Sequence, residues 1–336
     1  MVKELDVKME EYKTRRKVLK RMLGLDAIVI LPSAPEQVRN GDVFYPYRPD
    51  SDFFYLTGFH EPDSVAVIIP EREQGEYLLF CRESNRTAEI WNGKRAGLAG
   101  ACDDFGADDA FPITDLDDIL PGLLENKKRI YYAMGKYRSF DQKLINWVSQ
   151  VGSMGRSGVH APDQFISLSQ LIHEMRLFKS SQEVEVMKKA AAISSAAHIR
   201  AMQIARPGIN EFQIEAELTS SFISMGARYP AYPSIVGSGR NACILHYTEN
   251  NSVIEDGDLV LVDAGAEYEF YAADITRTFP INGVFSDEQR AIYEIVFEAQ
   301  AAAIKEVRSG NAWDDPHKAA VRIISEGLVD LQILTG

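Results

Sequence analysis

The 336-residue chain is 46% hydrophobic and 25% charged, a composition that can bury a sizeable core in two domains and excludes a disordered or fibrous chain. Its 36 Lys and Arg against 49 Asp and Glu leave a formal charge of −13, a balance that repels nucleic-acid backbones and anionic lipid surfaces. No apolar run approaches the roughly 20 residues that span a bilayer, the charged N-terminus lacks a signal core, and Cys81, Cys102 and Cys243 are too widely spaced for a disulfide framework or zinc knuckle, so the expectation is a cytoplasmic protein with no nucleic-acid or membrane partner.

In chain order, a charged helix is predicted around Met9 to Leu23, followed by β-rich runs at Ala27 to Leu31, Ser64 to Ile69 and Tyr77 to Phe80. A helix near Thr87 to Gly93, a run at Arg129 to Ala133 and a helix around Asp141 to Val148 complete a small α/β domain. The aromatic stretch Tyr47 to Tyr55 is either a packed core segment or a recognition surface. Val151 to Pro162 is rich in Gly and Ser and reads as a linker or an exposed connection before the next domain. The domain boundary is placed there, giving 1–160 and 161–336.

The second half opens on Ser180 and Glu183, at capping-box spacing. Val186, Ala190, Ile193, Ala197, Ala201 and Ile204 then draw one buried stripe on a helix that Pro207 and Gly208 end. Asn210 and Gln213 cap a second helix to about Met225, and an extended stretch passes Pro230, Pro233 and the turn Gly237-Ser238-Gly239. That glycine turn lacks the glycine spacing and lysine of a phosphate loop. Strands are predicted from Asp258 to Ala266 and from Ala272 to Ile281. Ser286 and Gln289 cap a helix carrying Ile292, Val296, Ala299, Ala303 and Val307, and a helix from about Asp315 to Glu326 follows.

The two strands each carry a carboxylate. If their connection turns tightly between Tyr268 and Glu269, Asp263 and Asp274 stand directly opposite each other, where Cβ atoms are about 4.5–5.5 Å apart and like charges repel. Leu259 to Val262 is apolar on both faces, as in a covered strand, so the pair should shift its ionisation, share a proton or bind a cation. A shared-proton dyad is disfavoured because each Asp lacks an Asp-Thr/Ser-Gly loop. Oxygen ligands select hard divalent ions such as Mn or Mg. The bland alternatives are two solvent-facing strand ends, or neutralisation by Arg277, which lies three residues from Asp274 and so faces the other side. His246, in an apolar run ahead of the hairpin, is either a satisfied core residue or a hydrogen-bonding group beside the metal. His60, His160, His173, His198 and His317 show no ligand spacing among themselves.

The segment Tyr47-Arg48-Pro49-Asp50-Ser51-Asp52-Phe53-Phe54-Tyr55-Leu56-Thr57-Gly58-Phe59 resembles the N-terminal domain signature of the bacterial aminopeptidase P family. Ile244 to Asn250, Asp258 to Gly265 and Asp274 to Pro280 resemble its catalytic domain. The resemblance implies an α/β N-terminal domain plus an α+β pita-bread (creatinase/aminopeptidase-like) catalytic domain, here incomplete. It also implies a metalloaminopeptidase that removes the residue preceding a proline from peptides, two divalent ions, most often Mn2+, and a homo-oligomer. By the same resemblance Asp263 and Asp274 are metal ligands, with Asp274 bridging, and His246 is an active-site histidine off the metal. Trp91 matches a position that in oligomeric members leans into a neighbouring subunit. The implied chemistry is attack of a metal-bridged hydroxide on the Xaa-Pro carbonyl. The family's remaining ligands, one His and two Glu, have no match before Gly336, and His317 stands in the wrong context. The expectation is therefore a truncated chain that is inactive alone. Two other readings are a pseudoenzyme keeping the peptide-binding and oligomerisation surfaces, and a prolidase-like dipeptidase.

Overall fold

In a computed structural model, which describes residues 7–335, the chain divides into two compact units, the division falling between Val184 and Glu185. The first contains α1 (Met9–Met22), β1 (Ala27–Pro32), β2 (Val38–Asn40), β3 (Val43–Phe44), α2 (Ser51–Thr57), β4 (Val65–Ile68), β5 (Tyr77–Cys81), α3 (Arg86–Asn92), α4 (Gly97–Asp103), β6 (Asp109–Pro112), α5 (Leu116–Leu124), β7 (Arg129–Tyr132), α6 (Arg138–Ser153), β8 (Gln164–Ser167) and α7 (Leu168–Leu177). Six strands form one sheet in the order β6-β5-β4-β1-β7-β8. Only β4 runs against its neighbours β1 and β5; the other pairings are parallel.

Alternation along β1 divides the core. Ala27, Val29 and Leu31 pack with Leu19, Phe53, Leu56 and Ile172 on one face, while Ile28 and Ile30 pack with Leu120, Leu144 and Trp147 on the other. Helices therefore cover both faces, which is why the central strands are unbroken apolar runs. The aromatic stretch is resolved in favour of the core, since Phe53, Phe54 and Tyr55 are buried. Asp50 caps α2 by accepting from the Asp52 and Phe53 amides, and its other oxygen accepts from the Tyr137 hydroxyl at 2.9 Å.

The expected boundary after residue 160 is corrected by the sheet. The Gly- and Ser-rich stretch ends α6 and feeds β8, which pairs in parallel with β7 from Arg129↔Gln164 to Tyr132↔Ser167. Residues 161–184 thus belong to the first unit.

The division falls within α8 (Ser181–Ile204), whose remainder from Glu185 opens the second unit; there follow α9 (Glu211–Ser224), β9 (Tyr229–Pro230), β10 (Ile235–Ser238), β11 (Leu259–Ala264), β12 (Ala266–Tyr268), β13 (Tyr271–Ala272), β14 (Ile275–Pro280), α10 (Asp287–Glu306) and α11 (Asp315–Asp330). All three predicted capping boxes form, at Ser180 with Glu183, Asn210 with Gln213 and Ser286 with Gln289. The α8 stripe is buried from Val186 to Ala201. The α10 stripe is not: Ala299 is buried, but Ile292, Val296 and Val307 are exposed. Strands β10-β11-β14 form one antiparallel sheet and β13-β12-β9 another. Among the described residues no helix is long and apolar enough to cross a membrane.

Candidate functional site

Asp263 is the penultimate residue of β11, and Asp274 lies immediately before β14. Their register differs from the expected one. Asp263 pairs with Thr276, not Asp274, because the hairpin turns one residue later, between the Tyr268↔Tyr271 pair. Its two central residues, Glu269 and Phe270, have φ of 48° and 65°, the positive values that the tightest right-twisting hairpin loop demands. Asp274 is consequently the diagonal same-face neighbour of Asp263, two residues from its direct partner.

Gly265 makes this close crossing possible. A Cβ there would stand 1.7 Å from the Ala273 carbonyl oxygen and 3.1 Å from the Asp274 amide nitrogen, so only glycine lets the two strands meet beside the carboxylates.

The strand carrying Asp263 is covered on one face only. Val260, Val262 and Ala264 are buried, whereas Leu259, Leu261 and Asp263 are half-buried on the other face. The prediction of a strand covered on both faces is thereby corrected: the carboxylates look out through the open face, and Asp274 is exposed. Arg277 pairs with Val262, and its guanidinium donates to the Thr276 carbonyl at 2.7 Å.

Both carboxylates converge on Tyr232, which no local sequence signal marks. Its hydroxyl lies 2.6 Å from Asp263 Oδ1 and 3.1 Å from Asp274 Oδ1. Burial and then the two adjacent carboxylates push this hydroxyl above the ordinary tyrosine range, so it stays protonated and donates. A position that both carboxylates reach with one donor is a position where both can reach one cation. Their hard oxygens fit a divalent ion, although among the described residues no cluster of three or more His, Cys, Asp or Glu side chains is assembled to close a cage.

His246 is not a core residue. It sits in an exposed turn, next to Leu245, which is 89% exposed. The arch that carries it springs from Asn241 and lands on Tyr247. Both feet bond to Glu211, a fully buried carboxylate at the start of α9. Glu211 Oε1 accepts from the Ser238 amide and hydroxyl, both at 2.8 Å, and from Asn241 Nδ2 at 3.2 Å. Oε2 accepts from the Tyr247 hydroxyl at 2.8 Å and the Ser252 amide at 3.0 Å. Burial pushes the Glu211 carboxyl upward, but these donors outweigh it and hold the group below its ordinary value.

Strand β10 joins the two parts of the site, with Ile235 paired to Asp263 and Gly237 to Leu261. The Gly237-Ser238-Gly239 turn has a packing reason: a Cβ on Gly237 would stand 2.9 Å from the Asn241 carbonyl carbon and oxygen. Of the other singled-out residues, Trp91 is 83% exposed on α3 in the first unit, and His317 lies on α11.

Comparison with known proteins agrees with both units. Residues 12–131 match the model of the aminopeptidase P N-terminal domain, and residues 185–336 match that of metallopeptidase family M24. The chain is 42% identical over 332 residues to an Xaa-Pro aminopeptidase of Escherichia coli strain K12, covering 98% of this chain and 75% of the relative. An Xaa-Pro aminopeptidase of Haemophilus influenzae is 39% identical over 97% of this chain and 74% of its own length. Among solved structures, Pseudomonas aeruginosa aminopeptidase PepP superposes with a TM-score of 0.97 at 53% identity, over 98% of this chain and 75% of that one. A zinc-substituted Escherichia coli aminopeptidase P in complex with product gives 0.95 at 42% identity, with the same coverage.

Proposed function

The chain belongs to the aminopeptidase P family, an N-terminal aminopeptidase P domain followed by an M24 metallopeptidase domain of the pita-bread fold, and from this membership we propose that its activity is release of the N-terminal residue from peptides with proline in second position. The observation that carries the reading is the convergence of Asp263 and Asp274 on the single Tyr232 hydroxyl. In this reading the carboxylates of Asp263 and Asp274 would hold divalent metal, manganese by preference. What such ions supply when bound is Lewis-acid polarisation of the scissile carbonyl and an activated water.

The chain's own residues bind and orient. Tyr232 keeps the two carboxylates on one side of the open face. His246, exposed on its arch, offers an imidazole hydrogen bond to the substrate carbonyl oxygen as negative charge builds there. Leu245 beside it offers an apolar contact. The protein is further proposed to be cytoplasmic and to assemble with copies of itself, with the exposed Trp91 at a subunit contact.

Two carboxylates leave most of a divalent ion's coordination to water. The 336-residue polypeptide by itself is therefore proposed not to hydrolyse peptides, and manganese-dependent, EDTA-sensitive cleavage by it contradicts that point. The second reading is a peptide-binding pseudoenzyme. Protein purified from its source decides between the two. Cleavage of an Ala-Pro-Ala tripeptide ahead of an Ala-Pro dipeptide, abolished by Asp274→Asn, supports the aminopeptidase. No cleavage of either, with peptide binding indifferent to Asp274→Asn, supports the pseudoenzyme, and preference for the dipeptide points to a prolidase.

A further inference from the structure

We propose that Glu211 is the positioning residue for His246: one buried carboxylate bonds both feet of the arch and thereby fixes the imidazole relative to Asp263. The inference deepens the functional reading above and rests on it for the importance of His246, but its geometry stands on separate observations.

The first is convergence. Asn241 and Tyr247, the two ends of the arch, both donate to Glu211, at 3.2 and 2.8 Å, and the Asn241 amide also donates to the Tyr247 hydroxyl at 3.1 Å. Between them the Ile244 amide donates to the Asn241 carbonyl at 3.0 Å. Residues 243–246 are all exposed, so the arch has little core of its own, and its shape is set by where its feet are held. A carboxylate that accepts five donors while fully buried is costly to disturb, because each donor left without an acceptor carries its own desolvation penalty.

The second is the reference frame. Glu211 accepts twice from Ser238, the last residue of β10. The arch presses on β10 at Gly237, two residues from Ile235, the pairing partner of Asp263. Two residues of strand span about 7 Å. The strand is held in turn by Asn250, buried, whose side chain accepts from the Val236 amide and donates to the Ser234 carbonyl, both at 2.9 Å. Glu211 thus ties the histidine arch to the same short strand that is registered to the first carboxylate. No contact between Glu211 and the carboxylates is needed; it acts through Asn241, Tyr247 and β10.

The test is made on the 336-residue chain with isotope-labelled histidine, whose six rings include His198, buried on α8, as a control. Glu211→Gln replaces one acceptor oxygen by a donor. Tyr247→Phe removes one foot's bond and keeps the ring. Both variants are expected to sharpen or shift the His246 ring signal toward that of a freely moving imidazole and to lower exchange protection of the Ile244 amide by about tenfold or more, with His198 unchanged. If Glu211→Gln does not fold, Tyr247→Phe alone decides. Unchanged His246 and Ile244 signals overturn the proposal, as does a Tyr247→Phe variant in which His198 changes equally, since the effect is then global. Retention of full peptidase activity in a His246→Ala variant of the source-purified protein would remove the role of His246 without altering the mobility result, so the two failures are distinguishable.

Discussion

Strand β1 of the first unit is buried at all six residues, whereas β11 of the second buries alternate residues and leaves Leu259, Leu261 and Asp263 on a half-open face. The two strands are equally long and begin with similar apolar runs, Ala27-Ile28-Val29-Ile30 and Leu259-Val260-Leu261-Val262. What separates them is cover. Helices lie on both faces of the first sheet, so its residues act by packing alone. The open face in the second unit lets two carboxylates approach one hydroxyl without the full cost of burying like charges.

The largest effect should come from breaking the covered sheet. Phe80, fully buried on β5 with its ring 5.4 Å from that of Phe111, should cost about 3–5 kcal/mol on Phe80→Ala, measured by denaturant unfolding. A loss below about 1 kcal/mol would erase the contrast between the units. Next comes Gly265→Ala, whose Cβ meets the Ala273 backbone. Backbone cannot swing aside as a side chain does, so about 3 kcal/mol of destabilisation is expected, with loss of the Tyr232 contact seen as a change in tyrosine absorption.

Tyr232→Phe sharpens the comparison on the open side. It removes the donor shared by two carboxylates and leaves them facing each other, for about 1 kcal/mol of lost stability in metal-free protein. Added Mn2+ should recover part of that loss, because a cation replaces the missing proton; recovery equal to that seen with Asp274→Asn would show that the ion binds elsewhere. The smallest effect is a pH dependence. Glu211 titrates below its ordinary 4.5 in the folded chain, so its contribution is fully present above that value and is lost as pH falls through the lower folded one. The melting temperature of the native chain should therefore exceed that of Glu211→Gln at pH 6, and the gap should narrow below about pH 4.5. A gap independent of pH would mean that the charge is not what the five donors hold.

Much of this architecture is legible in the residues. The capping boxes at Ser180, Asn210 and Ser286 state their helices locally, and the central apolar runs state their strands. The resemblance around Tyr47 to Phe59 identifies the first unit, and Asp263 and Asp274 are visible as paired carboxylates. The two-residue shift of their register is not, because Glu269-Phe270 adopts positive φ without the Asn-Gly or Asp-Gly signature of such turns. Nor is β8, since pairing of Gln164–Ser167 with β7 is decided by the sheet and not by its own composition. Tyr232 and Glu211 escape for a related reason: each acts across long sequence separations, on Asp263, Asp274, Asn241 and Tyr247, and nothing in the neighbouring residues marks either of them. Gly265 could have been suspected, as an isolated glycine in a strand pattern signals close backbone approach.

The central claim is that the pair joined at Tyr232 is a metal-holding pair. It is tested most directly by titrating Mn2+ into the chain and following the free ion by electron paramagnetic resonance, alongside Asp263→Asn and Asp274→Asn. The account predicts manganese uptake by the native chain that each substitution removes to the same extent, above whatever the remaining acidic surface retains. Uptake unchanged in both variants would contradict it.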